Sequence, residues 1–143
     1  MSNETMLINV AIVSAEEHLY TGKAVLVVAS GVLGELGIPY GHAQLLTELK
    51  PGQVRLVQAD GSEDVFYVSG GYLEVQPDAV TILADVAMRA SDLDEAKAEE
   101  ALRVAREHMN QQAEQQEYAT ALAEIANASA QLHAIRLLRR HLV

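Results

Sequence analysis

The feature that most limits what this chain can become is a change of texture at Asp85. Glycine and proline punctuate the sequence before it, and neither occurs after it. Glycine serves turns and close backbone approaches, while proline breaks helices and central strands. A chain divided in this way builds a turn-rich segment followed by a helical one. Before the change, short runs rich in valine, isoleucine, leucine and tyrosine alternate with turn signals, the spacing of strands. The predicted strands are Met6–Val13, Ala24–Ala29, Leu45–Leu49, Gln53–Gln58, Asp64–Ser69, Tyr72–Val75 and Ala79–Leu83. Ser30-Gly31, Lys50-Pro51-Gly52, Asp60-Gly61, Gly70-Gly71 and Pro77-Asp78 separate them. So many short strands imply an antiparallel β-sandwich or barrel.

After Asp85, alanine becomes abundant and charges scatter at helical spacing. Asp92 with Glu95, or Ser91 with Asp94, provides an N-cap with its reciprocal partner, and a first helix is expected from about Asp92 to Asn110. The polar stretch Gln111–Glu117 interrupts the pattern. A second helix then carries Tyr118, Leu122, Ile125, Ser129, Leu132, Ile135, Leu138 and Leu142 on one face. A further row, Ala119, Ala123, Ala126 and Ala130, matches Ala98, Ala101 and Ala105 of the first helix; small side chains permit close approach, so the two rows predict an antiparallel helical hairpin. The division falls at residues 1–87 for the β-sandwich and 88–143 for the hairpin.

A net charge of −10 opposes binding to nucleic acid, because such affinity rests on cations displacing counterions from phosphates. A protein partner is expected instead. Cysteine is absent, which removes disulfides, zinc-thiolate sites and cysteine nucleophiles. The apolar runs are far shorter than the ~20 residues of a membrane helix, and the first residues lack a basic signal region, so a soluble chain is expected. The charge is uneven: beyond Glu124 there is no acid, while Arg136, Arg139 and Arg140 form a local cationic end.

The densest unusual segment runs from Gly34 to Thr47, GELGIPYGHAQLLT, where three glycines and a proline suggest an irregular surface loop presenting a few polar groups. With Lys50-Pro51-Gly52, Ser69-Gly70-Gly71-Tyr72-Leu73-Glu74-Val75 and Leu83-Ala84-Asp85 behind it, this segment resembles the GELGI-YPGHA-LLT signature of the epsilon subunits of rotary F-type ATP synthases. Nearly the whole chain is covered. It departs from that pattern in the inverted order Pro39-Tyr40 and in Gln44, which stands where proline is usual; since proline fixes its own φ and restrains its predecessor, the loop's backbone is re-aimed locally.

The resemblance implies a non-catalytic subunit of the central stalk, working without cofactor or metal. It implies docking of the sandwich on the gamma subunit, and contact of Glu35, Leu36, Gly37, Ile38 and His42 with the c-subunit rotor ring. It further implies a hairpin that lies folded on the sandwich or extends into the catalytic head, where Arg136, Arg139 and Arg140 meet the alpha and beta subunits and inhibit hydrolysis. Such a subunit sits peripherally on the cytoplasmic face of the bacterial inner membrane. Some relatives bind ATP through an I/L-D-x-x-R-A segment. Here it reads Leu93-Asp94-Glu95-Ala96-Lys97-Ala98, and Lys97 offers a point charge in place of the arginine fork, so Asp94 and Lys97 are a vestige and ATP binding is expected to be absent or weak.

Two other classes fit parts of the sequence. One is a free-standing β-sandwich enzyme using His42, Glu35 and Asp85 for acid–base work. The other is an acidic adaptor gripping a foreign helix with its amphipathic helices.

Overall fold

A computed structural model describes residues 6–110 and 115–142. Nine strands form one continuous hydrogen-bonded sheet that folds over on itself, followed by two long helices. The strands are β1 (Ile8–Ser14), β2 (His18–Ala24), β3 (Leu26–Gly31), β4 (Gly34–Pro39), β5 (Leu45–Val57), β6 (Glu63–Val68), β7 (Gly71–Gln76), β8 (Ala79–Ala84) and β9 (Ala87–Arg89). The path runs β2-β1-β8-β7-β5-β3-β4, with β6 on β5 and β9 on β6. All pairs are antiparallel except β1 with β8, which the sequence alone gave no means of anticipating.

Alternation produces the layers. Ile8, Val10 and Ile12 of β1, Leu73 and Val75 of β7, and Val80 and Ile82 of β8 point inward, one residue in two. They meet Val27, Ala29, Ile38, Val54, Leu56, Phe66 and Val68 from the other half of the folded sheet. β5 joins the halves: Leu45–Leu49 pairs with β7, and Gly52–Val57 pairs with β6. The predicted Lys50-Pro51-Gly52 turn is instead a bend inside this one strand. The register with β3 slips there between Ala29 and Gly31, which lets a proline sit where a ladder donor would otherwise be required.

Three strands lay outside the sequence expectation. β2 breaks alternation because Leu19 and Tyr20 are both partly buried, with Tyr20 set edge-on to Phe66 at 5.3 Å. The Arg89 guanidinium lies over both rings and donates to the Leu19 carbonyl, tying β9 to β2. β4 is the glycine-rich segment read as a loop; it is an edge strand, where few side chains need packing. β9 is three residues long, too short to show a period.

Helix α1 (Glu95–Asn110) begins three residues later than expected, after a short 3₁₀ turn at Ala90–Asp92. Asp94 is the cap: its carboxylate accepts from the Lys97 amide at 3.2 Å and its carbonyl from the Ala98 amide at 3.0 Å. Helix α2 (Gln115–Leu142) starts inside the stretch expected to interrupt it; residues 111–114 lie outside the described residues.

The Gly70-Gly71 pair is dictated by geometry. Both have positive φ, and a Cβ at Gly71 would lie 2.0 Å from the Leu83 carbonyl oxygen. Gly34 also has positive φ, +138°, but faces open space. Gly71→Ala should therefore destabilise the fold by more than about 3 kcal/mol and Gly34→Ala by about 1 kcal/mol. Denaturant midpoints of the two variants check this, and equal losses would contradict it.

Candidate functional site

β4 forms one end of the sheet path. Glu35 pairs with Ser30 near the β3–β4 turn and is exposed, Leu36 packs partly onto the core, and Gly37 is exposed opposite Val28. Ile38 is 1% exposed, a core residue whose side chain is unavailable to any partner. His42 lies beyond the far end of the strand, its Nδ1 2.7 Å from the Ala43 carbonyl oxygen. Four residue steps along the strand, roughly 13 Å at ~3.3 Å each, separate Glu35 from Pro39. Glu35 and His42 therefore do not form an acid–base pair. Asp85 is a turn residue whose amide donates to the Gly70 carbonyl at 3.2 Å. Among the described residues, no three histidine, aspartate or glutamate side chains are grouped to hold a metal.

A second surface was not singled out from the sequence. On the outer face of β1, β8, β7 and β5, register places Val13, Leu83, Tyr72 and Glu48 in one cross-strand row, and Ala11, Thr81, Glu74 and Leu46 in the next. Leu46 is 68% exposed, Tyr72 53%, Leu83 47% and neighbouring Val86 50%. Large apolar side chains gathered on a bare sheet face mark a docking surface. The signal was present as apolar residues at the outward positions of strands whose inward positions were already apolar.

The other outer face is covered. β6 is buried on both sides: Phe66 and Val68 enter the core, while Val65 and Tyr67 meet Ala130, Ala134 and Leu137 of α2, with Met88, Leu93 and Leu138 around them. Tyr67 is 2% exposed, and its hydroxyl donates to Asn127 Oδ1 at 2.7 Å. Burial pushes its pKa above the ordinary phenol value, with a Gln131 hydrogen bond opposing. The Asn127 amide in turn donates to the Ala123 carbonyl at 3.1 Å. Here a buried phenol finds the partner that burial demands.

The alanine rows divide differently from expectation. Ala98 and Ala105 of α1 are buried, and Ala101 is exposed. On α2 the buried positions Ala121, Ala128 and Ile135 recur every seven residues and share a helix face with Leu132 and with Arg139, which pairs with Glu95 of α1, so this face lies on the side of α1. Ala119, Ala123, Ala126 and Ala130 lie on the opposite side, toward the sandwich. Only Ala130 is buried there; the others are exposed. Spacing identified the faces, while the partner of each face depended on how α2 lies across β5 and β6. Of the basic residues at the end of α2, Arg139 is paired with Glu95 of α1. Arg136 and Arg140 are exposed and make no ion pair among the described residues. Asp94 and the Lys97 amide are committed to starting α1.

A folded-over sheet with one bare apolar face, a free edge strand and a helical hairpin seated through alanine defines a scaffold of docking surfaces. Both parts match models of one family: the ATP synthase delta/epsilon chain beta-sandwich domain over residues 7–90, and the corresponding long alpha-helix domain over residues 91–136. The chain belongs to this family, among the bacterial epsilon subunits of ATP synthase. It is 55% identical over 128 residues to the ATP synthase epsilon chain of Chromohalobacter salexigens, covering 90% of this chain and 91% of that one. Among solved structures, the fold matches a chain of the Euglena gracilis mitochondrial ATP synthase OSCP/F1/c-ring assembly with a TM-score of 0.82 at 21% identity, covering 94% of this chain and 84% of that one. It also matches a chain of the Tetrahymena thermophila mitochondrial ATP synthase central stalk/c-ring with a TM-score of 0.60 at 12% identity, covering 90% and 96% respectively.

Tyr67→Phe removes the hydroxyl that joins β6 to α2 while keeping the ring. Loss of about 1 kcal/mol should raise the hydrogen exchange of α2 amides about fivefold, leaving the sandwich core unchanged. Unchanged exchange in α2 would show that the hydroxyl does not hold the helix.

Proposed function

We propose that the chain works as a coupling element of the rotor: the gamma subunit grips the bare sheet face, the c-subunit ring meets edge strand β4, and the hairpin is a detachable brake. The observation that carries this reading is the group of exposed apolar side chains, Tyr72 and Leu83 in one cross-strand row and Leu46 in the next, on a member of the epsilon family. The chain itself makes and breaks no bond. Transmitting torque requires a body that deforms little, and a close-packed sandwich core supplies it. Ring contact falls to Glu35, Gly37 and His42 with the exposed part of Leu36, while Ile38 anchors the strand from beneath. The subunit then sits peripherally at the cytoplasmic face of the bacterial inner membrane.

The moving part is the hairpin, expected from sequence to begin at residue 88, and the rigid part is the sandwich, which in the structure extends through β9. Met88 and Arg89 pair with β6, so the hinge acts beyond β9. On extension, Arg136, Arg139 and Arg140 meet acidic surfaces of the alpha and beta subunits. Exposed ion pairs are worth roughly 0.2 to 1 kcal/mol each, and Arg139 must first leave Glu95. The gain is a few kcal/mol at most, enough to bias a two-state element without locking it. ATP is not a ligand that sets this balance, since Asp94 caps its own helix and Lys97 replaces the arginine fork.

Removing residues 91–143 preserves β9 and tests the brake in reassembled synthase: hydrolysis should rise severalfold with coupling largely retained, and unchanged hydrolysis would reject it. Replacing Glu35 and His42 together with alanine should lower ion pumping more than hydrolysis while leaving the melting temperature of the free chain unaltered. Normal pumping would remove these residues from the ring contact.

A further inference from the structure

We propose that the cleft between the bend of β5 and helix α2 is a binding site for a small hydroxylated anion of the sugar-monophosphate class. The cleft is open to solvent on one side and offers about 500 Å³, within the range of small-molecule sites. The sandwich contributes Ser30, Glu35, Lys50 and Gly52 to its wall, and α2 contributes Ser129 and His133.

Ser30 is 8% exposed, yet its hydroxyl makes no hydrogen bond among the described residues. Buried hydroxyls are ordinarily satisfied, so one left open on a cavity wall calls for a partner inside the cavity. The backbone is shaped around it. A Cβ at residue 52 would lie 2.7 Å from both Cβ and Oγ of Ser30, so only glycine at that position leaves the hydroxyl its place. This glycine sits in the register slip between β3 and β5, where the ladder opens.

The other polar groups are similarly uncommitted. Lys50, Glu35 and His133 take part in no ion pair or side-chain hydrogen bond within the described residues. Lys50 supplies a charge for an anionic group, and the Ser30 and Ser129 hydroxyls and the His133 imidazole supply further hydrogen bonds. Glu35 would repel a bare anion but accepts hydrogen bonds from hydroxyl groups. A cation and a carboxylate in one cleft thus select a molecule that carries both a negative group and hydroxyls, and a sugar monophosphate has both in a compact frame.

Because the wall is shared, such a ligand binds only while α2 lies on the sheet, and its binding energy stabilises the seated hairpin by linkage. Glu35 also stands in the proposed ring contact, so the site is tested on the isolated chain, where its failure leaves the stalk reading untouched.

Calorimetry and amide-shift mapping of the full chain test it, using ribose 5-phosphate, glucose 6-phosphate and inorganic phosphate as probes, with ribose as the control. At least one sugar phosphate should bind with a sub-millimolar dissociation constant and shift the amides of Gly52, Ser129 and His133, while ribose does not bind. Lys50→Ala and His133→Ala, both at exposed residues and so expected to melt as the parent does, should each weaken binding about tenfold. Absence of shifts at those amides with every phosphate at millimolar concentration would overturn the proposal. So would affinity unchanged in both variants, or inorganic phosphate binding as tightly as the sugar phosphates.

Discussion

The arrangement depends on β6 being buried on both faces. Its inward residues, Phe66 and Val68, belong to the sandwich core, and its outward residues, Val65 and Tyr67, belong to the contact with α2. A strand covered on both sides reads as a continuous apolar run, which is what Val65-Phe66-Tyr67-Val68 is. One four-residue stretch therefore ties together two parts that otherwise differ in almost every respect. The sandwich holds itself together without the hairpin: its main cluster draws on all nine strands, down to Ala24 of β2 and Ala87 of β9, and on no residue of either helix. The hairpin has no comparable core. Among the described residues its own buried side chains are mostly alanines, and against the sandwich it packs on Val65 and Tyr67 of β6 with Met88, Ala90 and Leu93 around them.

That asymmetry sets the energetics. Burying an alanine methyl yields far less than burying a leucine or valine side chain, because the hydrophobic gain follows the apolar area removed from water. A contact made by Ala130, Ala134 and Leu137 against Val65 and Tyr67 is thus intrinsically modest, and the Tyr67–Asn127 hydrogen bond adds specificity by fixing the register of α2 on the sheet. Such an interface suits the detachable hairpin proposed above. Interlocked large side chains would raise the cost of separation and expose an aggregation-prone surface on each opening.

Much of this was legible in the sequence, for reasons that separate what could be read from what could not. The strands β1, β6, β7 and β8 declared themselves because each alternates or runs continuously apolar between turn residues. β4 did not, since an edge strand needs only Ile38 and part of Leu36 inside, and its glycines look like a loop. β5 was split in two because proline and glycine at its bend are ordinarily turn signals; only the register slip against β3 makes them compatible with one strand. Among site residues, the exposed positions Glu35, Gly37, Arg136 and Arg140 follow from local sequence. The burial of Ile38, the wide separation of Glu35 from His42 and the assignment of the Ala119–Ala130 row to the sandwich side require the three-dimensional path. Periodicity reports which residues share a face and carries no information about what lies opposite.

The two states of the proposed brake rest on forces of different kinds, and this determines how solution conditions act on it. The seated state is held mainly by apolar contact and one sheltered hydrogen bond, which salt screens little and salting-out ions reinforce. The grip proposed for the extended state comes from exposed arginines, whose attraction for a partner weakens as the Debye length falls from about 10 Å at 0.1 M salt toward 3 Å at 1 M. The Arg139–Glu95 pair is exposed as well, so screening also weakens the seated side, but there it is one pair against an apolar contact that salt leaves intact. Raising ionic strength must therefore shift the balance toward the seated hairpin. A brake that relied on the reverse arrangement, with an ionic seat and an apolar extended grip, would tighten under the same change.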